Sequence, residues 1–102
     1  NLGLPATLVE RARLERKRIV VPDVRQAAAA GEGFYAQSEA KSAILQPLVH
    51  NDKMVGLFLL ENTERANAFT ADAEVFLDLF SGGAAISVEK ALLYADLEAQ
   101  VE

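Results

Sequence analysis

Ser42-Ala-Ile-Leu-Gln-Pro-Leu-Val-His50, then Asn51-Asp52, then Lys53-Met-Val-Gly-Leu-Phe-Leu-Leu60 read as strand, turn and returning strand. Asn and Asp both tolerate positive φ, so two apolar runs joined by this pair suit a type I′ hairpin. With His50 opposite Lys53, Ile44, Gln46 and Leu48 share one face with Val55, Leu57 and Leu59. Leu45, Pro47 and Val49 share the other with Met54, Gly56, Phe58 and Leu60. Both faces are apolar, so the hairpin is expected inside a sheet covered on each side. Gln46 is the exception. A buried amide without partners would cost about 1–3 kcal/mol, so Gln46 is expected to bond to a ligand, a pocket water or the backbone of residues 23–40.

Downstream, Ala68-Phe69-Thr70 leads into a helical pattern with no proline as far as Val101. The Thr70 hydroxyl can cap it, and Asp72 and Glu74 suit its first turn. Leu79, Ile86, Leu93 and Leu97 recur near a seven-residue spacing, and Phe76 and Phe80 widen the stripe. A helix over residues 71–102 would span about 45 Å, against about 30 Å for a small domain. Its end must therefore project or pack on something outside. The stripe predicts a parallel homodimer through Ile86, Leu93 and Leu97. Gly82-Gly83 costs about 1 kcal/mol per glycine in mid-helix. The pair is expected to mark a break or kink, or else a close approach to the sheet or to a second helix.

Upstream, Pro5 suits the first turn of a helix ending near Glu15, with Leu8, Val9 and Ala12 as its apolar face. Arg18-Ile-Val-Val-Pro22 is a brief strand closed by proline. Within residues 23–40, Val24 to Ala30 favours one or two helical turns, Gly31-Glu-Gly33 breaks them, and Phe34-Tyr35-Ala36 starts a short helix. Along residues 53–60 the uninterrupted apolar run from Met54 to Leu60 would make a sticky edge if unpaired. That edge is expected to be covered by a second copy, an exchanged segment or the helix from Pro5 to Glu15.

Composition narrows the chemistry. The 102 residues make one domain with a modest core. There is no cysteine, which removes disulfides, thiolate nucleophiles and thioether attachment of a chromophore. The lone histidine, His50, allows no His-based triad or metal cluster within the chain. No run approaches the roughly 18 apolar residues of a membrane span, so no membrane insertion is expected, and the cytoplasm is the expected location. The chain begins at Asn1, as a fragment or processed product would. Net charge is −5, yet Arg11, Arg13, Arg16, Lys17 and Arg18 cluster early. At a helix end these cations complement orphan carbonyls. With no aromatic residue interleaved to stack bases, nucleic acid is not expected as a partner.

Lys41-Ser42, Pro47-Leu48, Val55-Gly56, Leu60-Glu61-Asn62, Ala68-Phe69-Thr70, Ala84-Ala85-Ile86-Ser87, Glu89, Ala91, Leu93-Tyr94 and Leu97 together resemble the C-terminal two-thirds of a GAF domain. The closest variety is that of multidomain sensor kinases. The helix at Leu4-Pro5 and the strand ending at Asp23 are similar to the family's middle section. The resemblance implies an α+β, profilin-like fold: an antiparallel sheet with helices on both faces, truncated at its N-terminus, in one partial domain over residues 1–102. Residues 71–102 would form a long signalling or dimerisation helix. The family's first two strands have no counterpart here.

The resemblance also implies a pocket roofed by residues 23–40, with Asp23, Phe34, Tyr35, Ser42 and Gln46 as candidate lining residues. Glu61-Asn62 stands where cyclic-nucleotide-binding relatives carry Asn-Lys, and Ala73-Glu74 stands where they carry Asp-Glu, which argues against cyclic nucleotides. Bilin attachment and the methionine-sulfoxide reductase activity of small members need cysteine. A haem ligand would have to be His50, beside a turn. The expected function is therefore a non-enzymatic sensory module. It binds a small molecule or dimerises, and relays a signal to an effector in cis such as a histidine kinase. The alternative is a ligand-free structural dimerisation domain.

Overall fold

The computed structural model describes the backbone of residues 4–101 and the side chains of residues 4–95. Seven elements follow in order: α1 (Ala6–Glu15), β1 (Ile19–Val21), α2 (Val24–Ala29), a 3-10 turn (Gly33–Ala36), β2 (Ser42–His50), β3 (Lys53–Asn62) and α3 (Ala71–Val101). The three strands form one antiparallel sheet in the order β1-β2-β3. This is an α+β architecture with helices on both faces, as the sequence leads one to expect.

Asn51 and Asp52 both have positive φ, 51° and 64°, so the hairpin closes through the primed turn its sequence suits. His50 faces Lys53 and Val49 faces Met54, but Leu48 then faces Gly56. Val55 is the extra residue of a β-bulge. From there on the pairing is Gln46 with Phe58 and Leu45 with Leu59. The bulge therefore corrects the expected face assignments, because a one-residue slip moves every later side chain across the sheet. Leu57 and Leu59 join Ala43 and Leu45 on one face. There they pack with Ile19, Val21, Leu8, Ala12, Val24 and Tyr35 as the main core.

Helix α3 covers the opposite face. A side chain at Gly56 would meet Leu48 Cδ1 at 3.2 Å and Val88 Cγ1 at 3.8 Å, so glycine is what lets α3 lie close to the sheet here. Phe58 stacks on Phe80, and Phe80 on Phe76, with 5.5 Å between ring centroids in each pair. Leu77 and Ala85 supply the buried contacts of the helix. Its first bonds run from Ala73 and Glu74 N–H to the Thr70 carbonyl, rather than to the hydroxyl expected as a cap.

Two polar links fasten α3 to β2. Arg18, just before β1, donates from Nε to Gln46 Oε1 at 2.6 Å and from Nη1 to Glu74 Oε1 at 3.2 Å, and its Nη2 pairs with Asp78. At the far end of the strand His50 Nδ1 meets Glu89. Arg18 thus departs from the solvated cluster to which its sequence neighbours belong. Those neighbours pair on the surface: Arg11 with Glu15, Arg13 with Glu10, and Arg16 with Asp52.

Helix α3 runs unbroken through Gly82 and Gly83. Both are exposed, and a Cβ at either would meet nothing within 4 Å. Neither a break in the helix nor an approach to the sheet accounts for them. The outer edge of β3 is open: among the described residues, no backbone group of residues 53–61 bonds outside the β2–β3 ladder. Helix α1 packs over the core instead, so any cover for that edge comes from outside the described residues. Replacing Gly82 and Gly83 together with alanine should raise the stability of the isolated chain by about 1–2 kcal/mol, since only the helix-propensity penalty is removed. Chemical denaturation at a concentration too low for two copies to pair reads this, and unchanged or lowered stability there would mean that the glycines serve a contact within the folded chain.

Candidate functional site

Clefts open around the packed core. One, of about 480 Å³, lies between the start of α1 and the 3-10 turn, and is lined by Leu4, Ala6, Val9, Glu10, Glu32 and Phe34. Pro5 forms no side-chain cap for α1. Glu32 takes that place from a distant part of the chain, accepting the Leu8 N–H on Oε2 at 3.2 Å. Its Oε1 accepts the Phe34 N–H at 3.4 Å, which starts the 3-10 turn. One carboxylate thus joins the two elements that form the cleft walls, and its charge complements the positive end of α1. Glu32 is 6% exposed.

The expected site residues do not converge. Phe34 lines this first cleft. Asp23 and Tyr35 line a second, of about 350 Å³, beside Arg25, Lys41 and Arg65. Asp23 caps α2 through the Arg25 N–H. Hydrogen bonding from the Arg25 guanidinium holds its carboxyl below the usual range. Tyr35, at the edge of this cleft, has its ring in the core and donates its hydroxyl to Glu61 Oε2 at 3.0 Å. Phe34 and Tyr35 meet edge to face with centroids 5.0 Å apart.

Ser42 is a fastener for the loop after β3. It is fully buried, donates to the Arg65 carbonyl at 3.0 Å and accepts from the Ala68 N–H at 3.4 Å. Gln46 is buried, at 8% exposure, but it is on the α3 side of the sheet. Its amide is satisfied by Arg18 and by the Pro47 carbonyl, to which Nε2 donates at 2.9 Å. The expected partners in residues 23–40 are out of its reach because β2 lies between.

Among the expected dimerisation residues, Ile86 is 41% and Leu93 59% exposed; Leu97 lies outside the described side chains. Among the described residues no set of three His, Cys, Asp or Glu side chains is grouped to hold a metal ion, and no helix is long and apolar enough to cross a membrane.

No family model matches the chain, and no curated protein matches it. Among solved structures it is similar to fRMsr of Staphylococcus aureus, determined in complex with its substrate. The TM-score is 0.56 at 22% identity, over 78% of this chain and 46% of that one. The chain therefore spans a little under half the length of the structure it matches. The likeness supports a GAF-like α+β fold. It also corrects the expectation of a non-enzymatic module, because fRMsr is an enzyme of this fold. The fold gives no ground for setting catalysis aside.

Burial, with the adjacent Glu61 carboxylate, raises the Tyr35 hydroxyl well above its usual value of 10.0. A tyrosine held protonated in the folded state favours folding fully below the unfolded value and less as pH rises through the folded one. Stability should therefore fall with pH from about 10 upward, and Tyr35→Phe should flatten that slope. Urea titrations across alkaline pH measure it, with an unchanged slope in Tyr35→Phe as the contrary result.

Proposed function

We propose that the chain is a small-molecule-binding module of GAF-like fold that passes its bound state along α3 to an effector in the same polypeptide. The observation that carries this reading is the course of α3. Every described side chain from Lys90 to Ala95 is exposed, whereas Leu77, Ala85, Val88 and Glu89 engage the sheet or its hairpin. The helix leaves the domain after Glu89 and carries its geometry outward. The cleft between α1 and the 3-10 turn falls within the 300–1,000 Å³ common for small-molecule sites. Its walls rest on the core face of β2, and the Arg18 and His50 links join β2 to α3. A shift of the strand is therefore felt at both ends of the sheet-bound half of the helix.

Support for pairing of two copies comes from the outward side of α3, where Phe76, Leu79, Ile86 and Leu93 are exposed, Leu79 by 82%. Surface apolar stripes of this extent mark interaction sites. The glycine pair lies between Leu79 and Ile86, where it would let a second α3 approach closely.

Two measurements test the proposal. A metabolite screen by thermal shift should find a compound that raises the melting temperature, because a ligand of the native state must stabilise it. With that compound bound, amide exchange in residues 86–95 should slow. Arg18→Gln should keep binding but lose the change in α3; an α3 that responds equally in the variant would sink the relay. In light scattering the chain should form dimers, and Leu79→Glu with Ile86→Glu should give monomers of unchanged helicity. A wild-type monomer at high concentration contradicts the pairing.

A further inference from the structure

We infer that the cleft between α1 and the 3-10 turn takes a protonated amine carried on an apolar or aromatic body, with Glu32 as its counter-ion. The inference rests on the small-molecule reading above and names the ligand class.

Glu32 is the reason. Buried carboxylates are ordinarily paired with a cation. Yet among the described residues no Lys, Arg or His nitrogen lies within 4.0 Å of Glu32. Its two oxygens receive one backbone N–H each, at 3.2 and 3.4 Å, longer than the usual spacing of about 2.9–3.0 Å. An ionised carboxylate offers about four acceptor positions, and the backbone occupies two of them. The second carboxylate of the cleft, Glu10, is already tied to Arg13. The charge left over in the cleft is therefore negative, and apolar walls focus such a potential.

The remaining surface selects what accompanies the charge. Leu4, Ala6, Val9 and Phe34 offer hydrocarbon and one aromatic ring, which suits an aliphatic or aromatic body and adds cation–π attraction where the ring is close. An anion would be repelled by Glu32, and a neutral sugar would leave both the charge and the apolar walls unmatched. Glu32 also caps α1, and this structural role can be separated from binding. Glutamine keeps an acceptor for the Leu8 N–H while losing the charge and the longer, 3.4 Å bond from the Phe34 N–H.

The probes are 2-phenylethylamine and its uncharged analogue 2-phenylethanol, titrated into the whole chain and read by amide chemical shifts. The amine should saturate shifts at Leu8, Val9 and Phe34, while the alcohol should bind at least about tenfold more weakly. In Glu32→Gln, with helicity and melting retained, the amine should fall to the level of the alcohol. Equal binding of the two probes, amine binding unchanged in Glu32→Gln, or no shift from the amine up to solubility would each overturn the inference. If the screen meanwhile finds a neutral or anionic metabolite shifting the cleft beside Asp23 and Lys41, the binding reading stands and this assignment of ligand class alone falls.

Discussion

A central strand buried on both faces organises this molecule. From Ser42 to Leu48 every residue of β2 is buried, so neither face can be left to water. One face is met by α1, α2 and the 3-10 turn with their alanines, Leu8, Val24 and Tyr35. The other is met by the first half of α3. At roughly 25 cal/mol per Å² of apolar area removed from water, covering such a strand outweighs local preferences. It explains how two glycines can sit in the helix without interrupting it.

Polar groups were drawn into this apolar frame only where each is answered. Gln46 could have been an unpaired amide beneath a helix; Arg18 supplies its partner and is itself held by two carboxylates of α3. Glu32 closes the start of α1 and the start of the 3-10 turn together. Ser42 bonds both ways to the loop that follows β3. No buried side-chain nitrogen or oxygen among the described residues is left without a partner. The domain thus uses a few long-range polar contacts as fasteners between layers, and Glu32 is a charged one with no balancing cation among the described residues.

How far the sequence discloses this depends on the range of the interaction. The type I′ turn is legible because Asn51-Asp52 specifies it locally, and the long helix because nothing in it but Gly82-Gly83 resembles a stop. The bulge at Val55 was not legible. Both faces of the hairpin are apolar, so a one-residue slip leaves no trace in the hydrophobic pattern, and the faces of Phe58 and Leu57 were exchanged. Arg18 looked like one more cation in a basic cluster because its partners Glu74 and Asp78 lie 56 and 60 residues away. Phe34 and Tyr35 are adjacent, but a tight turn sends one ring to a cleft and the other into the core. Glu32 sits between two glycines in what reads as a simple helix break, and no local pattern hints at its burial or at the cap it forms on α1.

The exit of α3 has a consequence in the language of helix formation. Starting a helix is the costly event, and adding a residue to an existing one is nearly neutral. The sheet-bound half, Ala71 to Glu89, bears the nucleation cost through its packing on β2 and β3. The dozen or so residues that follow Glu89 are about as many as the shortest isolated helices that hold in water. They extend from a template already in place, with each turn close to balance between helix and coil. The length of ordered helix beyond the domain is then a quantity that fractions of a kcal/mol can set. Anything that firms or loosens the grip at Glu89 acts on where the rod ends as well as on where it points.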